Sequence, residues 1–131
     1  MVNSLRVVLD TNILVSAFFW EGHERKILIK CKKRKLISII SLEILNELEK
    51  VLKIKFKVPE TKIRDYSKEI LYFSEIVFPL GELNIIKEDP SDNIILETAL
   101  ISKANILVTG NKHLLKLKKY KSIKILQVKD I

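Results

Sequence analysis

Hydrophobic residues fall into short continuous runs that alternate with segments of helical spacing. The runs are short enough for strands buried on both faces, and they cover residues 5–9, 36–40, 76–78, 106–109 and 123–126. Between them, apolar residues recur every three or four positions, which predicts helices over residues 12–20, 23–34, 41–52, 59–73, 89–103 and 112–118. This alternation predicts an α/β fold around a mostly parallel five-stranded sheet, and we expect one domain over residues 1–131.

Two of the predicted helices have recognisable start signals. Ser41 is a favourable N-cap for the third helix. Asp89 followed by Pro90 is typical of an N-cap and the first helical position, which predicts that the fifth helix begins there.

The charge of the chain favours a polyanionic partner. Lys and Arg total 24 and Asp and Glu total 16, so the net charge is +8 and nucleic acid is the leading candidate. Charge alone does not separate an enzyme acting on RNA from a passive binder. The single cysteine, Cys31, excludes an intrachain disulfide framework and a cysteine zinc finger. No apolar run approaches the roughly 20 residues of a membrane helix, so we expect a cytoplasmic protein without a membrane partner.

Polar residues follow two of the predicted strands, where the active sites of parallel sheets lie. Asp10 and Asn12 come after the first strand, and Thr109 and Asn111 come after the fourth. A carboxylate that ends a buried strand is costly to desolvate unless it is paired or bound to a metal. Asp10 is therefore a candidate functional residue, with capping of the next helix as the alternative.

Two further acids lie at helix positions that permit a role in such a site. Glu47 falls about 40° outside the apolar face of its helix and can face a cleft at the sheet edge, or pair with Lys50 in solvent. Asp92 is in the first turn of its helix, where the helix dipole by itself favours an acid. Residues 82–97 hold five acids against one lysine, and such a cluster is best tolerated around a cation.

Oxygen ligands without thiolates or a local histidine cluster suit Mg²⁺ or Mn²⁺ better than zinc. A hard metal ion within a basic surface suits phosphodiester chemistry, because the ion polarises a phosphate and lowers the pKa of a bound water. The sequence contains no glycine-rich phosphate loop and no G-x-S-x-G elbow. A phosphatase with Asp10 as nucleophile is disfavoured because a second aspartate two residues on is missing.

Four segments, taken in order, resemble motifs of the PIN-domain family and in particular of its VapC-like toxins. They are residues 7–12, 41–48, 89–99 and 108–115, which read VVLDTN, SLEILNEL, DPSDNIILETA and VTGNKHLL. The resemblance spans nearly the whole chain and implies a three-layer α/β/α sandwich. It also implies a divalent-metal-dependent endoribonuclease, neutralisation by a cognate antitoxin and a homodimer.

The resemblance carries roles to individual residues. The catalytic and metal-binding acids map to Asp10, Glu47 and Asp92, and a polar surround of Asn12, Thr109 and Asn111 is expected to support them.

The fourth motif often carries aspartate after Thr-Gly, and this chain has Asn111 instead. Asparagine can still offer one neutral oxygen to a metal or a bound water, but the lost charge weakens a second metal more than the first. A catalytically weakened PIN-like module that binds RNA or a protein is therefore the alternative function.

Lysines directly follow the fourth motif and are candidates for guiding the RNA backbone. They are Lys112, Lys116, Lys118 and Lys119. Phosphate contacts from these side chains would make RNA binding strongly dependent on salt.

Overall fold

The computed structural model describes residues 4–131, and strands and helices alternate over this range. The strands are β1 (Arg6–Leu9), β2 (Ile37–Ser41), β3 (Ser74–Val77), β4 (Ile106–Val108), β5 (Lys119–Tyr120) and β6 (Ile123–Leu126). The helices are α1 (Thr11–Phe19), α2 (His23–Lys32), α3 (Leu42–Lys50), α4 (Glu60–Phe73), α5 (Asp92–Ile101) and α6 (Lys112–Leu115). A π-helical turn over Val51–Lys55 extends α3, and Val128–Asp130 forms a 3₁₀ turn. Within the described residues, no helix is long and apolar enough to cross a membrane.

The strands form one sheet in the order β3-β2-β1-β4-β6-β5. All neighbouring strands are parallel except β5, which pairs antiparallel with β6. The chain moves from β1 through β2 to β3. Because connections between parallel strands are right-handed, the helices α1 to α4 lie on one face of the sheet. The return to β4 carries α5 and then α6 over the opposite face, and α5 packs on β1, β2 and β4. The predicted α/β sandwich with a mostly parallel sheet is therefore confirmed.

The two central strands of the sheet are deeply buried. Val7 and Val8 on β1 and Leu107 and Val108 on β4 have no solvent exposure, because helices cover both faces. This two-sided burial is why these strands read as continuous apolar runs without polar alternation.

Several element boundaries differ from the sequence prediction by a few residues. The helix expected at Asp89 begins at Asp92, because the Asp89 carbonyl accepts the Asp92 N–H at 3.0 Å in a preceding turn. The third strand begins two residues earlier, at Ser74, whose hydroxyl lies 2.8 Å from that of Ser38 on β2. The sheet also has a sixth strand, β5, which is too short and too polar to form an apolar run.

Candidate active site

The chain reverses its direction across the sheet between β1 and β4. It proceeds outwards from β1 to β3, returns to β4 beside β1, and continues outwards to β6. Because the crossovers on the two sides of this point cover opposite faces, a crevice opens beyond the carboxyl ends of β1 and β4. Asp10 follows β1 and Thr109 follows β4, so the topology brings the first and fourth polar segments of the sequence together.

Asp10 is a buried carboxylate held by two hydrogen bonds. It is 6% exposed, its Oδ1 accepts the Thr11 N–H at 2.6 Å and its Oδ2 accepts the Thr109 hydroxyl at 2.7 Å. Burial raises the pKa of Asp10, the hydrogen bonds from Thr109 and Thr11 oppose that shift, and the charge of Glu47 adds to it. Asp10 is also the N-cap of α1. The two interpretations from the sequence, a carboxylate in a candidate site and a helix cap, are therefore compatible with each other.

Asp92 is the first residue of α5 and is equally buried, at 6% exposure. The Asn111 Nδ2 group donates to both Asp92 carboxylate oxygens at 3.2 Å, and His113 Nδ1 lies 3.7 Å from Asp92 Oδ2. Burial raises the pKa of Asp92, and the charges of Asp89 and Asp10 raise it further, while His113 and Asn111 lower it. The carboxylates of this region thus disfavour one another's ionisation, which a cation between them would relieve.

Glu47 reaches the same cleft from α3. The apolar face of this helix, with Ile44, Leu45 and Leu48 buried, packs inwards, while Glu47 is exposed on its flank. The helix begins as the sequence predicts, with the Ser41 hydroxyl accepting the Ile44 N–H at 3.3 Å. Glu47 lines the cleft that contains Asp10 and Asp92.

The cleft has a volume of about 170 Å³ and brings the three predicted acids together with Asn12 and Asn111. Larger depressions, of about 300, 280 and 250 Å³, lie elsewhere. One is beside the Lys53–Glu60 ion pair, one is among α1, α2 and α4, and one is between the start of α2 and the Val128–Asp130 turn. We assign the chemistry to the smaller cleft because buried carboxylates with perturbed pKa values converge there, which is typical of functional sites.

The donor set of the cleft fits a hydrated divalent ion better than a closed protein cage. Within residues 4–131, no three Asp, Glu, His or Cys side chains are already gathered closely enough to hold a metal by themselves. Mg²⁺ typically binds through one or two carboxylates and keeps several waters, so this arrangement suits it. Thr11 also lines the cleft, and its hydroxyl is buried without a hydrogen-bond partner among the described residues.

Three polar residues of the cleft were not predicted as site residues from the sequence: Thr11, Asp89 and Ser91. Asp89 was expected to cap a helix. Its Oδ1 instead accepts the Ser91 N–H at 3.1 Å and the Ser91 hydroxyl at 2.7 Å, and its charge raises the pKa of Asp92. The cluster of acids in residues 82–97 was the signal that pointed to it.

Another member of that acidic cluster, Glu97, organises a loop and does not line the cleft. It is buried, and its carboxylate accepts three backbone N–H groups, those of Leu80 at 2.6 Å, Gly81 at 3.0 Å and Leu83 at 3.0 Å. One turn earlier on α5, Asn93 Oδ1 accepts the N–H groups of Ile85 and Ile86. Together, Glu97 and Asn93 hold the segment that leads to Asp89 and Asp92 against α5.

The four lysines proposed for RNA contact are all exposed and none lines the cleft. Lys112 begins α6, Lys116 caps its end, and Lys118 and Lys119 lead into the β5–β6 hairpin. Lys116 Nζ lies 3.7 Å from Glu88 Oε2, so it reaches towards the loop that carries Asp89. This places Lys116 nearer the cleft entrance than its sequence position alone indicates.

Comparison with known proteins agrees with the fold. A family profile described as PIN domain matches residues 6–113. Among solved structures, the chain is similar to VapBC2 from Rickettsia felis, determined bound to a DNA fragment from its promoter, with a TM-score of 0.63 and 21% identity over 92% of this chain and 97% of that chain. At this identity the similarity concerns the fold. No match was found among curated protein sequences. Since the profile covers most of the chain and includes Asp10, Glu47 and Asp92, the chain belongs to the PIN domain family.

Proposed function

We propose that this PIN domain is a divalent-metal-dependent endoribonuclease that hydrolyses RNA phosphodiester bonds. The observation that carries the proposal is the convergence of Asp10, Glu47 and Asp92 on one cleft at the point where the sheet topology reverses. PIN domains are in general nucleases, and the net charge of +8 favours a polyanionic substrate.

In this proposal, Asp10 and Asp92 hold Mg²⁺ or Mn²⁺, directly or through water. The bound ion would polarise the phosphate and lower the pKa of a water molecule. Thr109 keeps the Asp10 carboxylate in one orientation through the 2.7 Å hydrogen bond. Glu47, which is exposed in the cleft, completes the site and accepts a proton from the attacking water. Asn12 lines the cleft as a polar supporting group.

The RNA backbone is proposed to run from the cleft over α6 and the β5–β6 hairpin. Lys112, Lys116, Lys118 and Lys119 are exposed along this path and can each contact a phosphate. Such contacts add affinity without sequence information, so this surface does not by itself choose the RNA target.

We also propose that the domain is the toxin of a toxin–antitoxin pair. The support is the order of the four PIN motifs and the similarity in fold to VapBC2. A cognate antitoxin, a homodimer and a cytoplasmic location belong to the same proposal, and the buried, unpaired Cys31 is compatible with a reducing compartment.

The second candidate function is a catalytically weakened PIN module that binds RNA or a protein partner. The observation that favours it is Asn111, an amide that contacts Asp92 where the family motif often has a carboxylate. The two functions differ in whether the purified chain cuts RNA.

The test is cleavage of a defined RNA by the purified chain with Mg²⁺ or Mn²⁺, with and without EDTA. We expect cleavage that EDTA abolishes and that Asp10→Asn and Asp92→Asn each lower by at least about 100-fold, since each removes a charge from the metal site. Asp65→Asn is the matched control, because Asp65 is exposed on α4 outside the cleft and its change of charge is the same. Binding of RNA without cleavage by the wild-type chain would favour the second candidate. Cleavage that survives EDTA or both variants contradicts the proposed enzyme.

A further inference from the structure

Both ends of the Asn111 side-chain amide are engaged in the structure. Its Oδ1 accepts the N–H of His113 at 2.7 Å and that of Leu114 at 3.4 Å, which makes Asn111 the N-cap of α6. Its Nδ2 donates to both oxygens of Asp92 at 3.2 Å. The residue therefore ties the start of α6 to the start of α5.

The orientation of this amide is dictated by the chemistry at both ends. Backbone N–H groups need an acceptor, and only Oδ1 supplies one. The Asp92 carboxylate accepts, so it needs the Nδ2 donor. A rotated amide would set donor against donor and oxygen against carboxylate, which removes four favourable contacts and adds repulsion. In this geometry Oδ1 caps α6, so the amide meets the Asp92 carboxylate with its Nδ2 donor.

The amide also changes the electrostatics on one side of Asp92. Its N–H groups present positive partial charge to the carboxylate there, and His113 Nδ1 lies 3.7 Å from Asp92 Oδ2. A divalent ion bound between Asn111 and Asp92 would have to displace the Asn111 donors and would gain no charge from the Asn111 side chain in return. Asp10 and Glu47 line the same cleft as Asp92 and Asn111, and they supply the carboxylates for the first ion.

We propose that Asn111 is a positioning residue that restricts this centre to one divalent ion. It does so by holding the Asp92 carboxylate through Nδ2 and by presenting a neutral donor to both of its oxygens, where a carboxylate would help to bind a second ion. This inference rests on the proposed metal-dependent function and deepens it, because it sets the metal stoichiometry.

The test counts Mn²⁺ ions bound to the whole chain by isothermal titration calorimetry and by electron paramagnetic resonance, without RNA. We expect one Mn²⁺ per wild-type chain and the loss of that ion in Asp10→Asn. In Asn111→Asp we expect the stoichiometry to rise from one to two, with spin coupling between ions about 4 Å apart. Aspartate matches asparagine in size and is an equally good N-cap, so α6 is retained, as circular dichroism can verify.

Asn84→Asp is the matched control, because Asn84 is exposed, lies outside the cleft and undergoes the same change of charge. We expect it to bind one ion. Two ions per wild-type chain would overturn the role of Asn111 and leave the metal-dependent function standing. This outcome is measured on the wild-type chain alone, so it does not depend on whether a variant folds. One ion in a folded Asn111→Asp variant would likewise overturn that role. If the wild-type chain binds no Mn²⁺, the proposed function itself fails and this inference with it.

Discussion

Replacing Thr109 by valine removes one buried hydroxyl beside Asp10 and leaves the shape of the side chain almost unchanged. Thr109 has no solvent exposure. Its hydroxyl donates to Asp10 Oδ2 at 2.7 Å and accepts the Asn111 N–H at 2.9 Å, so one atom links two of the polar segments of the site.

The loss in stability follows from these two bonds. A hydrogen bond to a charged group contributes about 1.5–3 kcal/mol, and a buried N–H left without its acceptor costs about 1–3 kcal/mol. Because the two effects share one atom and do not add fully, we expect Thr109→Val to lower the free energy of unfolding by about 3 kcal/mol. For a chain of this size that is a fall in Tm of about 12 °C. Since Asp10 also loses its fixed orientation, we expect RNA cleavage to fall by about 10-fold to 100-fold.

The assay is urea unfolding of the wild-type chain and two variants, followed by RNA cleavage at matched concentrations. The control is Thr98→Val, because Thr98 is also fully buried but its hydroxyl only donates to the Ile94 carbonyl within α5. We expect that control to change stability by less than about 1 kcal/mol. If Thr109→Val matches the wild-type chain within about 0.5 kcal/mol, the hydroxyl does not hold Asp10 and the reasoning fails.

Two further predictions concern hydrogen bonds of buried side chains outside the cleft. Burial opposes ionisation of Glu97, but its backbone hydrogen bonds outweigh that effect and hold its pKa below the ordinary 4.5. Its stabilising effect is therefore present above the unfolded-state pKa and is lost as pH falls through the lower folded-state pKa. We expect Glu97→Gln to lower the free energy of unfolding by about 2 kcal/mol at neutral pH. In urea titrations at lower pH, we expect the difference in unfolding free energy between this variant and the wild-type chain to become smaller, and a difference independent of pH contradicts this. Tyr66 donates its hydroxyl to the Leu14 carbonyl at 2.6 Å. We expect Tyr66→Phe to lower the unfolding free energy by about 1 kcal/mol with RNA cleavage unchanged, and unaltered stability would show that this bond adds nothing.

Some members of the candidate site can be recognised from local sequence, and others cannot. Asp10 is detectable because a charged residue directly ends a buried strand. The helical angle of Glu47 permits either a place in a cleft or an ion pair with Lys50 in solvent, so Glu47 needed the motif resemblance. Asp92 needed the motif resemblance, since an acid in a first helical turn has a local explanation in the helix dipole. Glu97 gave no local signal, because its partners are backbone groups of a loop 14 to 17 residues away.

The orientation of Asn111 illustrates what lies beyond a motif. From sequence, an asparagine in place of an acid offers either an oxygen or an amide to the site. Which end faces Asp92 depends on α6 beginning directly after Asn111, which the sequence predicts, and on the start of α5 lying beside it, which the motif of residues 108–115 does not specify. The sequence did not predict β5 for a related reason, since a two-residue polar strand is stabilised only by pairing with its partner β6.

The sequence by itself determined the α/β class, the order of the main strands and helices, and the three acids that belong to one site. The first two features follow from local periodicity, because a strand buried on both faces must be apolar and a helix must repeat its apolar side every three to four residues. The choice of the three acids rested on the motif resemblance as well. The tertiary structure alone decided how the polar groups meet. The reversal between β1 and β4 sets Thr109 against Asp10, and the docking of α6 beside α5 turns the Asn111 amide towards Asp92. Such contacts join residues far apart in sequence, and their geometry depends on the packing of elements that no local pattern specifies.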